Sequence, residues 1–118
     1  MLINLKGIRN AQLRGSGMDE GMLARYQKEM VEEGALPGGI NWYRAFRYFA
    51  DVPNITVPTT HIWGRHDNSL EERGAQLNSQ FIDAPYEFRI IEDGNHWLPD
   101  QNAPEVAQSV LARVRSVA

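Results

Sequence analysis

"TTHIWGRHDNSLEERGAQLNSQFIDAPYEFRIIE", residues 59 to 92, reads as strand, helix, strand. "TTHIWG" (59–64) is a β-branched and aromatic run closed by a glycine, which suits a strand. Ser69 followed by Glu72 has the spacing of a capping box and predicts a helix over about 70–81. "YEFRIIE" (86–92) predicts a second strand. Beyond it, Asn102, Pro104 and Glu105 stand as cap, first and third residues of a last helix. Val106, Val110, Leu111, Val114 and Val117 give that helix an apolar stripe. The order strand, helix, strand, helix predicts an α/β fold with two adjacent parallel strands.

Parallel neighbours send their following loops to the same sheet edge, where the functional groups of open α/β sheets collect. Asp67 lies three residues past the first strand and His96 four past the second. Neighbouring strands are roughly 5 Å apart, so the two side chains can meet. A carboxylate that holds one imidazole nitrogen as N–H leaves the other free as a base. The plainer reading is that both are polar loop residues. His61, inside the first strand, reads as a packed or edge group. His61, His66 and Asp67 lack a zinc spacing, and no metal or cofactor site is expected.

Working toward the amino terminus, residues 1–17 hold Gly7, Gly15 and Gly17 and read as loop. Met18, Met22, Tyr26 and Met30 predict a helix over about 18–33, stopped by "GALPGG". "NWYRAFRYF" (41–49) predicts another, capped by Asn41, with Trp42, Phe46 and Phe49 near one face. "DVPNITVP" separates it from the sheet.

Composition narrows the functional classes. The chain has 118 residues, 42% of them hydrophobic, enough for one modest core. A net charge of −3 and a pI near 5.6 give no basic footprint for nucleic acid or an anionic membrane. The absence of cysteine excludes disulfides and thiolate metal sites and is compatible with a reducing cytoplasm. No apolar stretch approaches the roughly 20 residues of a membrane span. The expectation is a cytoplasmic protein.

"VPTTHIWGRHD" followed by a helix, and then "APYEFRIIEDGNHWLPDQNAPEV", resembles the C-terminal part of α/β-hydrolase-fold enzymes. The resemblance implies that Asp67 is the triad acid and His96 the triad histidine. "GALPGGINWYRAF" (34–46) is similar to the segment leaving the lid in epoxide hydrolases, and Tyr43 of "NWYR" stands where a tyrosine donates a hydrogen bond to the epoxide oxygen. An aromatic-rich helix is also ordinary core, so Tyr43 carries both readings. The implied organisation is an N-terminal loop and lid remnant over 1–39 and the C-terminal part of the hydrolase core over 40–118.

The nucleophile elbow of such enzymes has a G-x-S-x-G-like pattern. Ser16 in "RGSGM" lacks the outer glycines. "GMDEG" (17–21) fits with Asp19 at its centre, but no strand leads into it, and Asp19 reads better as a helix cap. The glycine-rich oxyanion loop is also absent. The resemblance therefore implies a truncated hydrolase acting on a small-molecule substrate. Its rivals are the C-terminal half of a serine esterase and a non-catalytic remnant or interaction module. An uncovered edge on the first strand would invite a separate N-terminal half chain or self-association.

Overall fold

The computed structural model describes residues 5–48 and 52–117. The chain divides into two compact units, Met1–Val52 and Pro53–Ala118.

The first unit is helical. α1 spans Leu5–Gly15, where the glycines suggested a loop. Gly7 lies within it, and Gly15 and Gly17 stand at its end. Gly17 has φ of 100°, the left-handed conformation that ends many helices. Its N–H donates to the Arg14 carbonyl at 2.9 Å, and the Met18 N–H donates to the Leu13 carbonyl at 3.1 Å. α2 spans Glu20–Tyr26. Asp19 caps it, its Oδ1 accepting the Met22 N–H at 2.8 Å. Met18, Met22 and Leu23 are buried. A π-helical turn over Gln27–Glu32 continues it, and Gly34, with φ of 82°, ends it.

"GALPGG" does not all terminate structure. α3 spans Leu36–Arg44 and has Pro37 in its first turn, where the missing N–H has no helical partner to lose. This helix starts before Asn41, so Asn41 is not its cap. A 3-10 turn follows over Ala45–Tyr48. Trp42, Tyr43, Phe46 and Tyr48 are all exposed; Phe49 lies outside the described residues.

The second unit carries the sheet. β1 (Thr59–Gly64) and β2 (Tyr86–Ile91) are parallel, in a register from Thr59 opposite Tyr86 to Gly64 opposite Ile91. Ahead of β1, Ile55 pairs with Ile82 as an isolated bridge. The crossover is α4 (Glu72–Leu77) extended by a 3-10 turn over Asn78–Phe81. Its start differs from the capping-box expectation, because Asp67 takes the N–H of Ser69 at 2.8 Å and delays the helix until Glu72. Trp63 is buried under this crossover, its indole N–H donating to the Leu70 carbonyl at 2.9 Å.

α5 (Leu98–Gln101) and α6 (Ala103–Ser116) follow β2. Pro104 sits in the first turn of α6 as expected, but Asn102 makes no side-chain cap bond. α6 is tied to the strands through a polar seam. Arg113 Nε donates to Thr60 Oγ1 at 2.8 Å, and its Nη2 donates to the Thr59 carbonyl at 3.2 Å. Arg89 Nη1 donates to Oγ of the buried Ser109 at 3.1 Å. The apolar stripe exists in sequence but is not core here: Val110, Leu111, Val114 and Val117 are exposed.

The N–H groups of Thr59 and Arg65 donate to the carbonyls of Pro85 and Ile91. By the alternation of a parallel ladder, Thr60, Ile62 and Gly64 turn their backbone groups to the other side of β1. Among the described residues no strand pairs with that side.

Candidate active site

The parallel register fixes which loops meet. Beyond Gly64 the chain makes a tight turn in which the Asp67 N–H donates to the Gly64 carbonyl at 3.0 Å. Beyond Ile91 the chain turns at Gly94, whose carbonyl accepts the His66 N–H at 2.8 Å. The two turns are thus bonded to each other before any side chain is considered.

Asp67 and His96 come together. Nδ1 of His96 lies 3.1 Å from Oδ2 and 3.2 Å from Oδ1 of Asp67. The Asp67 side chain is 6% exposed and that of His96 32%. Oδ1 also accepts the N–H groups of Ser69 at 2.8 Å and Leu70 at 2.9 Å. Burial pushes the Asp67 carboxyl up, but the Ser69 and Leu70 N–H groups and the His96 imidazole outweigh it and hold the group below its ordinary value. A carboxylate that already accepts two N–H groups stays an acceptor, so Nδ1 of His96 is the donor. Neutral His96 therefore presents an unprotonated Nε2, the atom a general base needs. The Trp97 ring stands edge-on to the imidazole at 5.0 Å between centroids.

An open groove of about 360 Å³ runs past the couple, lined by Ile62, Trp63, Asp67, His96, Leu98 and Val106 among others. The walls are mostly apolar, with Thr60, His61 and the Asp67–His96 couple as the polar side chains, the usual composition of a small-molecule site. Tyr43 belongs to the first unit, on α3, and is 70% exposed; it is not part of a packed core. His61 is an edge group whose Nδ1 lies 3.2 Å from Asn78 Nδ2 and 3.4 Å from the Tyr86 hydroxyl. Asp19 is occupied as the α2 cap.

Two supports escaped the sequence reading. Ser69 and Leu70 contribute backbone N–H groups that any residue type carries; the only available signal was the Asp-Asn-Ser run after a strand, which favours such a turn. Asn95 accepts the Trp97 N–H at 2.8 Å and donates to Gln101, so it shapes the turn that carries His96.

Comparison with known proteins finds partial matches to hydrolases. The chain is 31% identical over 102 residues to epoxide hydrolase 3 of Xenopus tropicalis, covering 85% of this chain and 27% of that protein. The chain is a partial homologue of epoxide hydrolases and α/β-hydrolase superfamily proteins. Epoxide hydrolase A of Mycobacterium tuberculosis is 32% identical over 95 residues, 75% of this chain and 29% of its own length. The AB hydrolase superfamily protein YfhM of Bacillus subtilis is 28% identical over 97 residues, 80% of this chain and 34% of its own length. This hydrolase homologue thus spans about a quarter to a third of the curated relatives it matches. No family model matches it, and no solved structure matches it. Among the described residues no helix is long and apolar enough to cross a membrane.

Proposed function

We propose that this chain supplies the acid–histidine part of an epoxide hydrolase-like site. The observation that carries the reading is the Asp67–His96 couple, with Nδ1 tied to a carboxylate and Nε2 turned over to chemistry. In the reaction, a carboxylate from outside this chain attacks an epoxide carbon. The ring C–O bond breaks, and an ester to the enzyme forms. The alkoxide takes up a proton from a general acid. His96 then removes a proton from water through Nε2. The resulting hydroxide attacks the ester carbonyl, which releases a diol and regenerates the carboxylate, and the imidazolium returns its proton through solvent to the acid that protonated the alkoxide. Asp67 holds the imidazole in the working tautomer and balances the imidazolium charge. The domain assignment that goes with this reading makes 1–39 a lid remnant and 40–118 the end of the hydrolase core. With a serine nucleophile the same couple would serve an esterase.

A second reading has its own observation. The free side of β1 and the exposed stripe of α6 suit a non-catalytic interaction module. Under either reading, the occupant we assign to that edge is a polypeptide supplying further strands of an α/β-hydrolase sheet, because the aligned part of this chain covers only 27% and 34% of the relatives' length.

The test is turnover of a chromogenic epoxide and of a p-nitrophenyl ester by the purified chain, in whatever assembly it forms, with His96→Ala as control. Diol formation that His96→Ala abolishes supports the catalytic reading. Ester turnover alone, equally dependent on His96, selects the esterase. Turnover that is indifferent to His96→Ala sinks both; no turnover by the chain alone leads to the same assay with a co-expressed polypeptide that carries the nucleophile, and failure there too selects the interaction module.

A further inference from the structure

We propose that Gly64 and Arg65, at the end of β1, are positioning residues that set the Asp67–His96 geometry. This rests on the reading of the couple as the site and goes beyond it by naming what holds it. Gly64 is the one point both turns are measured from. Its carbonyl accepts the Asp67 N–H at 3.0 Å, which fixes the acid's turn. On its other side, a Cβ at Gly64 would stand 2.5 Å from the Asn95 carbonyl oxygen and 2.7 Å from the carbonyl carbon and oxygen of Gly94. These are backbone atoms of the turn carrying His96, and they cannot rotate aside as a side chain can. Any other residue must push that turn away from β1, and His96 with it. The demand is for close approach of two backbones, one of the uses glycine alone serves.

Arg65 closes the assembly from outside. Its N–H donates to the Ile91 carbonyl at 3.0 Å. Its guanidinium holds Glu92 through Nε and Nη2, both at 3.0 Å, and Glu72 through Nη1 at 2.8 Å. One planar fork thereby joins the turn of Asp67, the first residue of α4 and the residue after β2. A lysine has no such planar fork and cannot hold Glu92 through two nitrogens while a third reaches Glu72. A lone exposed pair contributes little. The expected effect is therefore on the geometry of the couple, more than on folding.

The test is nitrogen NMR of the histidine rings in the purified chain at neutral pH, followed by titration of the Asp67 carboxyl. In the wild type His96 is expected as one tautomer, Nδ1–H with bare Nε2. In Gly64→Ala the signature should become a mixture of tautomers, and the Asp67 titration should move up toward the ordinary carboxylate range. His61, bonded to Asn78 and Tyr86 on the same strand, should keep its signal and so report that the sheet is intact. Arg65→Gln should move His96 and Asp67 in the same direction by less, and Arg65→Lys should recover part of the loss. If Gly64→Ala does not fold, the two Arg65 variants decide. An unchanged His96 signature in Gly64→Ala, or in both Arg65 variants where these decide, overturns the proposal and leaves the couple standing. A wild type without the Nδ1–H tautomer removes the couple itself.

Discussion

At the scale of single residues, Asp67 sets the state of the site. Its carboxyl titrates below the ordinary value, so ionised Asp67 favours the folded chain. That contribution is complete above the unfolded carboxylate pKa, near 4, and disappears as pH falls through the lower folded value. Urea unfolding should therefore show stability dropping below about pH 4, and Asp67→Asn should flatten that drop. The same substitution can turn an amide N–H toward His96 Nδ1 and stabilise the wrong tautomer. If the catalytic reading holds, kcat should fall by about 10³–10⁴-fold, as for a misdirected triad histidine. Both residues of the couple were legible from their distances past two strands. Gly64 was legible only as the end of a strand. What it does depends on a turn some thirty residues away in sequence, and no local pattern records that.

Among the elements, the strands were the most readable. Period and β-branching place β1 at Thr59–Gly64, as observed, and β2 differs by one terminal residue. Helix ends were less so, because competing local bonds decide them. Ser69 gives its N–H to Asp67 rather than capping a helix, and Pro37 opens a helix where it was expected to close one. α1 was missed because Gly7, Gly15 and Gly17 were read as loop, although Gly7 is accommodated within the helix and Gly15 and Gly17 only close it. Gly17→Ala should accordingly cost about 1–2 kcal/mol in the first unit, the penalty of a side chain in the left-handed region, measurable by chemical denaturation. In the second unit, Arg113→Met removes two charge-assisted bonds from α6 to β1. A loss of about 1.5–3 kcal/mol is expected, with amide exchange rising first in α6.

For the molecule as a whole, exposure was the least legible property. The stripe Val110, Leu111, Val114 and Val117 has helical spacing, and spacing alone predicts burial. Burial also needs a partner layer, and none of the described residues provides one. The free edge of β1 raises the same need for hydrogen bonds that the stripe raises for apolar contact. Light scattering on the purified chain should thus report an assembly larger than a 13.4 kDa monomer. Charge placed at the edge, as Ile62→Lys, should shift the population toward monomer. A monomer at all accessible concentrations would show that the edge stays open in solution.

The backbone bonds between the two turns make the crossover free to vary in length. Asp67 and His96 are referenced to Gly64 and Ile91, which are paired directly. The stretch between them from α4 to Phe81 only has to return the chain to the start of β2. Residues added or lost within Gln76–Gln80 should leave the couple where it is. One residue added inside β2 should slide everything beyond it by about 3.3 Å and reverse which face each side chain takes. Across relatives in evolution, and in any redesign, insertions should accumulate in the crossover and be excluded from the strands.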